Sequence, residues 1–164
     1  MSETRPVLDA GRILRDLVAG GVDFVVIGGI AAVLHGSPRN TFDLDIAFSS
    51  EPANLDALGT VLIGLGARLR GVPEDVPFVP DARTLSQVEV LTLATTAGDL
   101  DVLANPAGAP RYEHLREGAD QYELDGTTVR VATVEHLIAM KSAAGRDKDL
   151  SDIAELQAIL RLRS

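Results

Sequence analysis

The chain has 164 residues, of which 46% are hydrophobic, no cysteine, and a formal net charge of −9. That composition predicts one compact α/β domain with a real core and excludes disulfides, zinc-thiolate sites and thiol catalysis. With no apolar N-terminal signal and no long apolar run, a cytoplasmic protein with no membrane partner is expected, and a pI near 4.7 lacks the basic footprint of a protein that grips long duplex DNA.

The first periodic segment, residues 9–19, predicts an amphipathic helix. Residues 24–27 are apolar and largely β-branched and predict a strand buried on both faces; Gly28 and Gly29 then permit a tight turn into a helical stretch over 30–35. Free backbone N–H groups at such a helix start, with the helix dipole, favour a phosphate, and glycine lets it approach the main chain. A glycine pair alone is as readily a plain turn.

Next come Asp43, Leu44, Asp45 and Ile46, alternating polar and apolar. Both carboxylates therefore leave one face of a strand, with their Cα atoms roughly 6.5–7 Å apart. Paired carboxylates at that spacing suit divalent cations that clamp the attacking and leaving oxygens of a phosphoryl displacement, and oxygen-only ligands select Mg²⁺ or Mn²⁺. The competing reading is a solvated strand face. Against it stands the apolar frame, where unpaired charge is costly.

A helix is predicted over 52–65, then a loop over 72–84 that is either a cover for the site or a plain connector. Residues 88–93 predict a strand, 96–98 a turn and 99–103 a returning strand that carries Asp99 and Asp101 on one face. Asp101, flanked by apolar residues, is preferred as third acid; Asp99 follows the turn glycine and could simply set the turn. Residues 121–131 predict a hairpin turning at Asp125 and Gly126, and Thr133 is the expected cap of a helix with an apolar stripe of Leu137, Ile138 and Met140.

Basic residues close the reading. Arg39 and Thr41 precede the Asp43 strand, while Lys141, Arg146 and Lys148 lie near the C-terminus, and their signs suit a triphosphate. Lys141, Gly145, Lys148 and Asp152 have the spacing of one helix face, so Asp152 is expected to orient a phosphate-binding lysine. Ordinary surface ion pairs are the alternative. His35, His114 and His136 lack metal-ligand spacing, so no zinc site is expected.

Gly28–Gly29, Asp43-x-Asp45 and a third acid on a later strand together resemble the nucleotidyltransferase superfamily of DNA polymerase β type. More narrowly, GGIAAVLHGSPRNTFDLDIAF, GDLDVL and EHLIAMKSAAGRDKDLSDIAEL resemble the bacterial branch containing AbiEii-type and MenT-type toxins. The resemblance implies a mixed twisted sheet flanked by helices, with C-terminal helices. It makes residues 1–164 one nucleotidyltransferase domain, with a catalytic core at about 22–104 and a hairpin and helices at about 119–164. It also implies Gly28 and Gly29 on nucleotide phosphates, Asp43, Asp45 and Asp101 on metal, and Lys141 in the family's later helical motif. Two departures stand out: the toxins are usually longer, and Gly29 replaces their frequent serine.

The expected activity is transfer of a nucleoside monophosphate from an NTP to an acceptor hydroxyl, with Arg39, Thr41, Arg146 and Lys148 as further nucleotide-binding candidates. By the resemblance the acceptor is a tRNA 3′ end, with the chain acting as the toxin of a toxin–antitoxin pair and its cognate antitoxin as partner. A protein hydroxyl, modified by an AMPylating antitoxin, and an aminoglycoside or lincosamide antibiotic are the other acceptors. A non-catalytic nucleotide-binding or partner-binding module is the rival of a different class.

Overall fold

The computed structural model describes residues 6–73 and 75–163. Helix α1 (Ala10–Ala19) starts where the Asp9 side chain accepts a hydrogen bond from the Arg12 amide, and it buries Ile13, Leu14 and Leu17. Strand β1 (Phe24–Ile27) is buried at every position, as its unbroken apolar run requires, and leads directly into α2 (Gly28–Leu34). Strand β2 (Asp43–Phe48) returns beside it and is followed by α3 (Pro52–Gly64), which opens on a proline whose missing N–H costs nothing at a helix start.

The middle of the chain holds β3 (Arg68–Leu69), α4 (Ala82–Ser86), β4 (Val90–Thr95) and β5 (Gly98–Leu103). The predicted loop over 72–84 therefore ends in a short helix, because Asp81 caps it by accepting from the Thr84 amide and Leu85 is buried. That helix packs on α3. Then come α5 (Tyr112–Gly118), β6 (Asp120–Leu124), β7 (Thr127–Val131), α6 (Val134–Ala144) and α7 (Asp147–Arg163). The β6–β7 turn is at Asp125 and Gly126, both with positive φ, as expected for Asp-Gly. Thr133 caps α6 by accepting from the His136 amide at 3.1 Å.

The strands form one mixed sheet in the order β3-β4-β5-β2-β1-β7-β6. β2 pairs in parallel with β5 and antiparallel with β1, while β7 runs parallel to β1 at the other side. Along β2 and β5 every second residue goes to the core: Leu44, Ile46, Leu100 and Val102 are fully buried, each worth roughly 1.5–3 kcal/mol of burial. The residues between them, Asp43, Asp45, Asp99 and Asp101, are half-buried on the opposite face. One alternation thus supplies both the core and an acidic patch at the centre of the sheet.

The segment from Lys141 to Asp152 differs from the single helix face predicted for it. Gly145 adopts φ 63°, a left-handed conformation that glycine takes without steric cost, and its amide closes onto the Lys141 carbonyl. α6 therefore ends and α7 folds back against it, so Lys141 meets Asp152 across a helical hairpin.

Candidate active site

The parallel register of β2 and β5 sets Asp43 opposite Asp99 and Asp45 opposite Asp101. Since partners in a register point to the same face, the four carboxylates converge, and oxygens of Asp43, Asp45 and Asp101 lie within 4.8 Å of one another. Among the described residues this is the group of three acidic or metal-type side chains close enough to share an ion. Asp45 Oδ1 is buried without a hydrogen-bond partner. Burial, then the charges of Asp43 and Asp101, push the Asp45 carboxyl up to about 7. Burial also raises Asp101, against the pull of Arg70.

Gly28 closes this end of the site. It follows Ile27, whose register partner is Asp45, and takes φ +69°; a Cβ there would meet Asp45 Oδ2 at 2.1 Å. Any side chain at 28 would occupy the space beside the carboxylate. A Cβ on Gly29 would in turn meet Thr41 Oγ1 at 2.7 Å, while Thr41 Oγ1 donates to the Asp43 carbonyl at 3.1 Å and so ties the preceding loop to the strand. Two glycines and one threonine let the β1–α2 turn lie directly against the acids. A buried, partnerless carboxylate oxygen inside a three-carboxylate cradle fits a divalent cation well.

The facing wall is helical. Lys141 Nζ lies 3.0 Å from Asp152 and 3.4 Å from Asp149. Arg39 reaches Asp152 at 2.7 Å and Glu155 at 2.9 Å and donates to Ser151 Oγ. Arg146 grips Asp149 through Nε at 2.7 Å and Nη2 at 3.1 Å, and these bonds chiefly hold the Asp149 carboxyl at about 2. Asp149, Asp152 and Glu155 follow one another at i, i+3 and i+6 on α7, so they share a face.

Between the walls is a cleft of about 570 Å³. Gly28, Gly29, Arg39, Thr41, Asp43, Asp45, Asp101, Lys141, Arg146 and Lys148 all line it, so every site residue predicted from the sequence is brought to one place. His35 takes no part: it is buried, with Nε2 2.8 Å from the Ala132 carbonyl and Nδ1 receiving the Arg163 guanidinium at 3.1 Å.

No protein-family model matches the chain, and no curated protein does either. Solved structures do. ANT(2'')-Ia in complex with adenylyl-2''-tobramycin shares 17% identity over 92% of this chain and 86% of its own, at a TM-score of 0.58. The lincosamide antibiotic adenylyltransferase LnuA, lincomycin-bound, shares 16% identity over 93% and 99%, at 0.59. An antigenic nucleotidyltransferase-like protein from Paracoccidioides brasiliensis shares 20% over 95% and 78%, at 0.53. The chain has the nucleotidyltransferase fold.

Within that nucleotidyltransferase fold, sequence reading missed Arg70, Asp149 and Glu155. Arg70 follows the two-residue β3 and contacts Asp101 at 2.6 Å and Asp99 at 3.4 Å. Its signal in the sequence is faint: Arg68-Leu69-Arg70 alternates like an edge strand, but nothing local says which acids it will face. Asp149 and Glu155 carry no local signal: the hairpin at Gly145 sets Asp149 against Lys141 and Arg146 and brings Glu155 to the cleft.

Proposed function

We propose that this protein is a metal-dependent nucleotidyltransferase that moves a nucleoside monophosphate from an NTP to an acceptor hydroxyl. The observation that carries the reading is the Asp43–Asp45–Asp101 cluster, with an orphaned buried oxygen on Asp45, set against the Gly28–Gly29 turn. Mg²⁺ or Mn²⁺ held by the three carboxylates would neutralise charge on the phosphates and on the attacking and leaving oxygens. Gly28 and Gly29 offer the phosphates a main chain without side chains to keep them away. Asp101 helps to position or deprotonate the acceptor hydroxyl, whose oxygen bonds to the α-phosphorus as the bond to the bridging oxygen breaks and pyrophosphate leaves. Lys141 and Arg39 stabilise the departing pyrophosphate, with Thr41, Arg146 and Lys148 at the same cleft.

For the acceptor, a small hydroxyl-bearing molecule of the antibiotic class is the better-supported reading. The cleft has the volume of a small-molecule site. With a net charge of −9 and a pI near 4.7, the chain offers little of the basic surface that a long polyanion such as tRNA needs. Two proteins of the same fold are named for, or hold, antibiotic adenylylation partners. The toxin reading, with a tRNA 3′ end as acceptor, rests on the sequence resemblance. One assay separates them: each labelled NTP with Mg²⁺, offered in turn aminoglycosides and lincosamides, total tRNA, and lysate protein. Label appearing in the small-molecule fraction supports the first reading, label on tRNA replaces it with the second, and no label in any fraction returns the chain to a non-catalytic module.

A further inference from the structure

Arg70 sits at the end of a row that crosses the sheet. Its amide donates to the Thr92 carbonyl at 2.9 Å, extending the β3–β4 ladder one residue beyond the Leu69–Leu93 pair. Thr92 is the register partner of Asp101, and Asp101 that of Asp45. Arg70, Thr92, Asp101 and Asp45 therefore lie side by side. Two strand spacings, roughly 9.5 Å, separate the Arg70 backbone from that of Asp101, so the contact needs a long side chain that passes over Thr92.

That side chain is fixed at several points. Nη2 donates to Asp101 Oδ1 at 2.6 Å, and Nη1 lies 3.4 Å from both Asp99 Oδ2 and the Leu93 carbonyl. With the side chain only 20% exposed, the guanidinium is a planar fork spanning two acids and a main-chain carbonyl. One oxygen of Asp101 is thereby taken, and Asp99 becomes the second anchor of the fork.

We propose that Arg70 is a positioning residue for the third carboxylate: by holding one oxygen of Asp101 it turns the other toward the ion shared with Asp43 and Asp45. The proposal rests on the metal site put forward above. A different role for Arg70, simple charge neutralisation, has the opposite consequence. Removing a mere neutraliser from beside three carboxylates tightens cation binding, whereas removing a group that orients a ligand weakens it despite the gain in negative charge.

The test is Mn²⁺ binding to the full chain, read from the free-ion signal in electron paramagnetic resonance, for wild type, Arg70→Gln, Arg70→Lys and Asp45→Asn. The last of these marks ions bound elsewhere. Arg70→Gln should weaken Mn²⁺ on the order of ten-fold, the usual effect of losing an outer partner of a metal ligand, and Arg70→Lys should fall between it and wild type. Lysine keeps the charge and so also serves if the glutamine variant does not fold. Wild-type or tighter affinity in either folded Arg70 variant overturns the proposal alone. Equal binding by wild type and Asp45→Asn overturns the metal site, and the proposal with it.

Discussion

The sheet side clusters Asp43, Asp45 and Asp101, with Arg70 behind them holding Asp101 and Asp99, whereas the helical side sets Arg39, Lys141 and Arg146 against Asp149, Asp152 and Glu155. On the sheet the acids outnumber the cation in contact with them, and the excess is stored as a carboxyl pushed up to about 7 and a buried oxygen without a donor. On the helices charges are matched. On the proposed reading, the sheet wall takes up a cation from solution as it stands, while the helical wall exchanges partners before it holds a phosphate.

The largest expected effect comes from removing the excess. Asp45→Ala or Asp43→Ala should abolish nucleotidyl transfer, yet leave the melting temperature in metal-free buffer unchanged or higher, since a like charge leaves a crowded group. Labelled-NTP turnover and a thermal melt check both halves. Full turnover in an Asp43→Asn, Asp45→Asn double variant would show that the sheet wall holds no functional ion.

On the helical wall, Lys141→Ala should lower kcat more than it weakens nucleotide binding, by on the order of 2–4 kcal/mol in transition-state terms if one charge-assisted contact is lost. Steady-state kinetics with the identified acceptor decide this. Unchanged kcat and KM would leave Lys141 as a structural partner of Asp149 and Asp152.

The stored charge also makes a pH signature. Asp45 is raised in the folded chain to about 7, above its ordinary unfolded value near 4, so between those values the unfolded chain has released a proton that the folded chain retains. Stability should then fall as pH rises from about 4 to 7 and stay low above that window. Melts across this range in a chelating buffer should show the slope for wild type and a flatter profile for Asp45→Asn.

The smallest effect should come from upsetting the matched side. Asp152→Asn frees Arg39 and Lys141 from a shared carboxylate and should tighten NTP binding a few-fold, on the scale of about 1 kcal/mol or less for partly exposed pairs. Calorimetric titration with an NTP measures it; weaker binding would mean that Asp152 orients the cations.

The parts of this architecture that were legible in the sequence are those whose signal is local. Period-two alternation placed Asp43 with Asp45 and Asp99 with Asp101, the glycine pair marked the β1–α2 turn, and Asp125–Gly126 marked the hairpin, each within a few residues. What escaped depends on pairing across the sheet or on one backbone reversal. β3 is two residues long and gains its place only by lying on β4, so Arg70 could not be joined to Asp101 in advance. The helical spacing of Lys141 and Asp152 led to the right partners through the wrong geometry, because Gly145 is helix-compatible by pattern and left-handed in fact. α5 was likewise unseen, and its Tyr112 and Arg116 close on Asp23 at 2.7 and 3.0 Å, at the far end of β1 from the acids.

The parallel pairing of β2 with β5 has a kinetic consequence. Asp45 and Asp101 become neighbours only after the whole intervening chain has closed into a crossover, so no short segment of this protein can present the three carboxylates together. If the proposed ion binds there, it would act as a latch fastened late in folding, one that slows the opening of the assembled sheet more than it hastens its assembly.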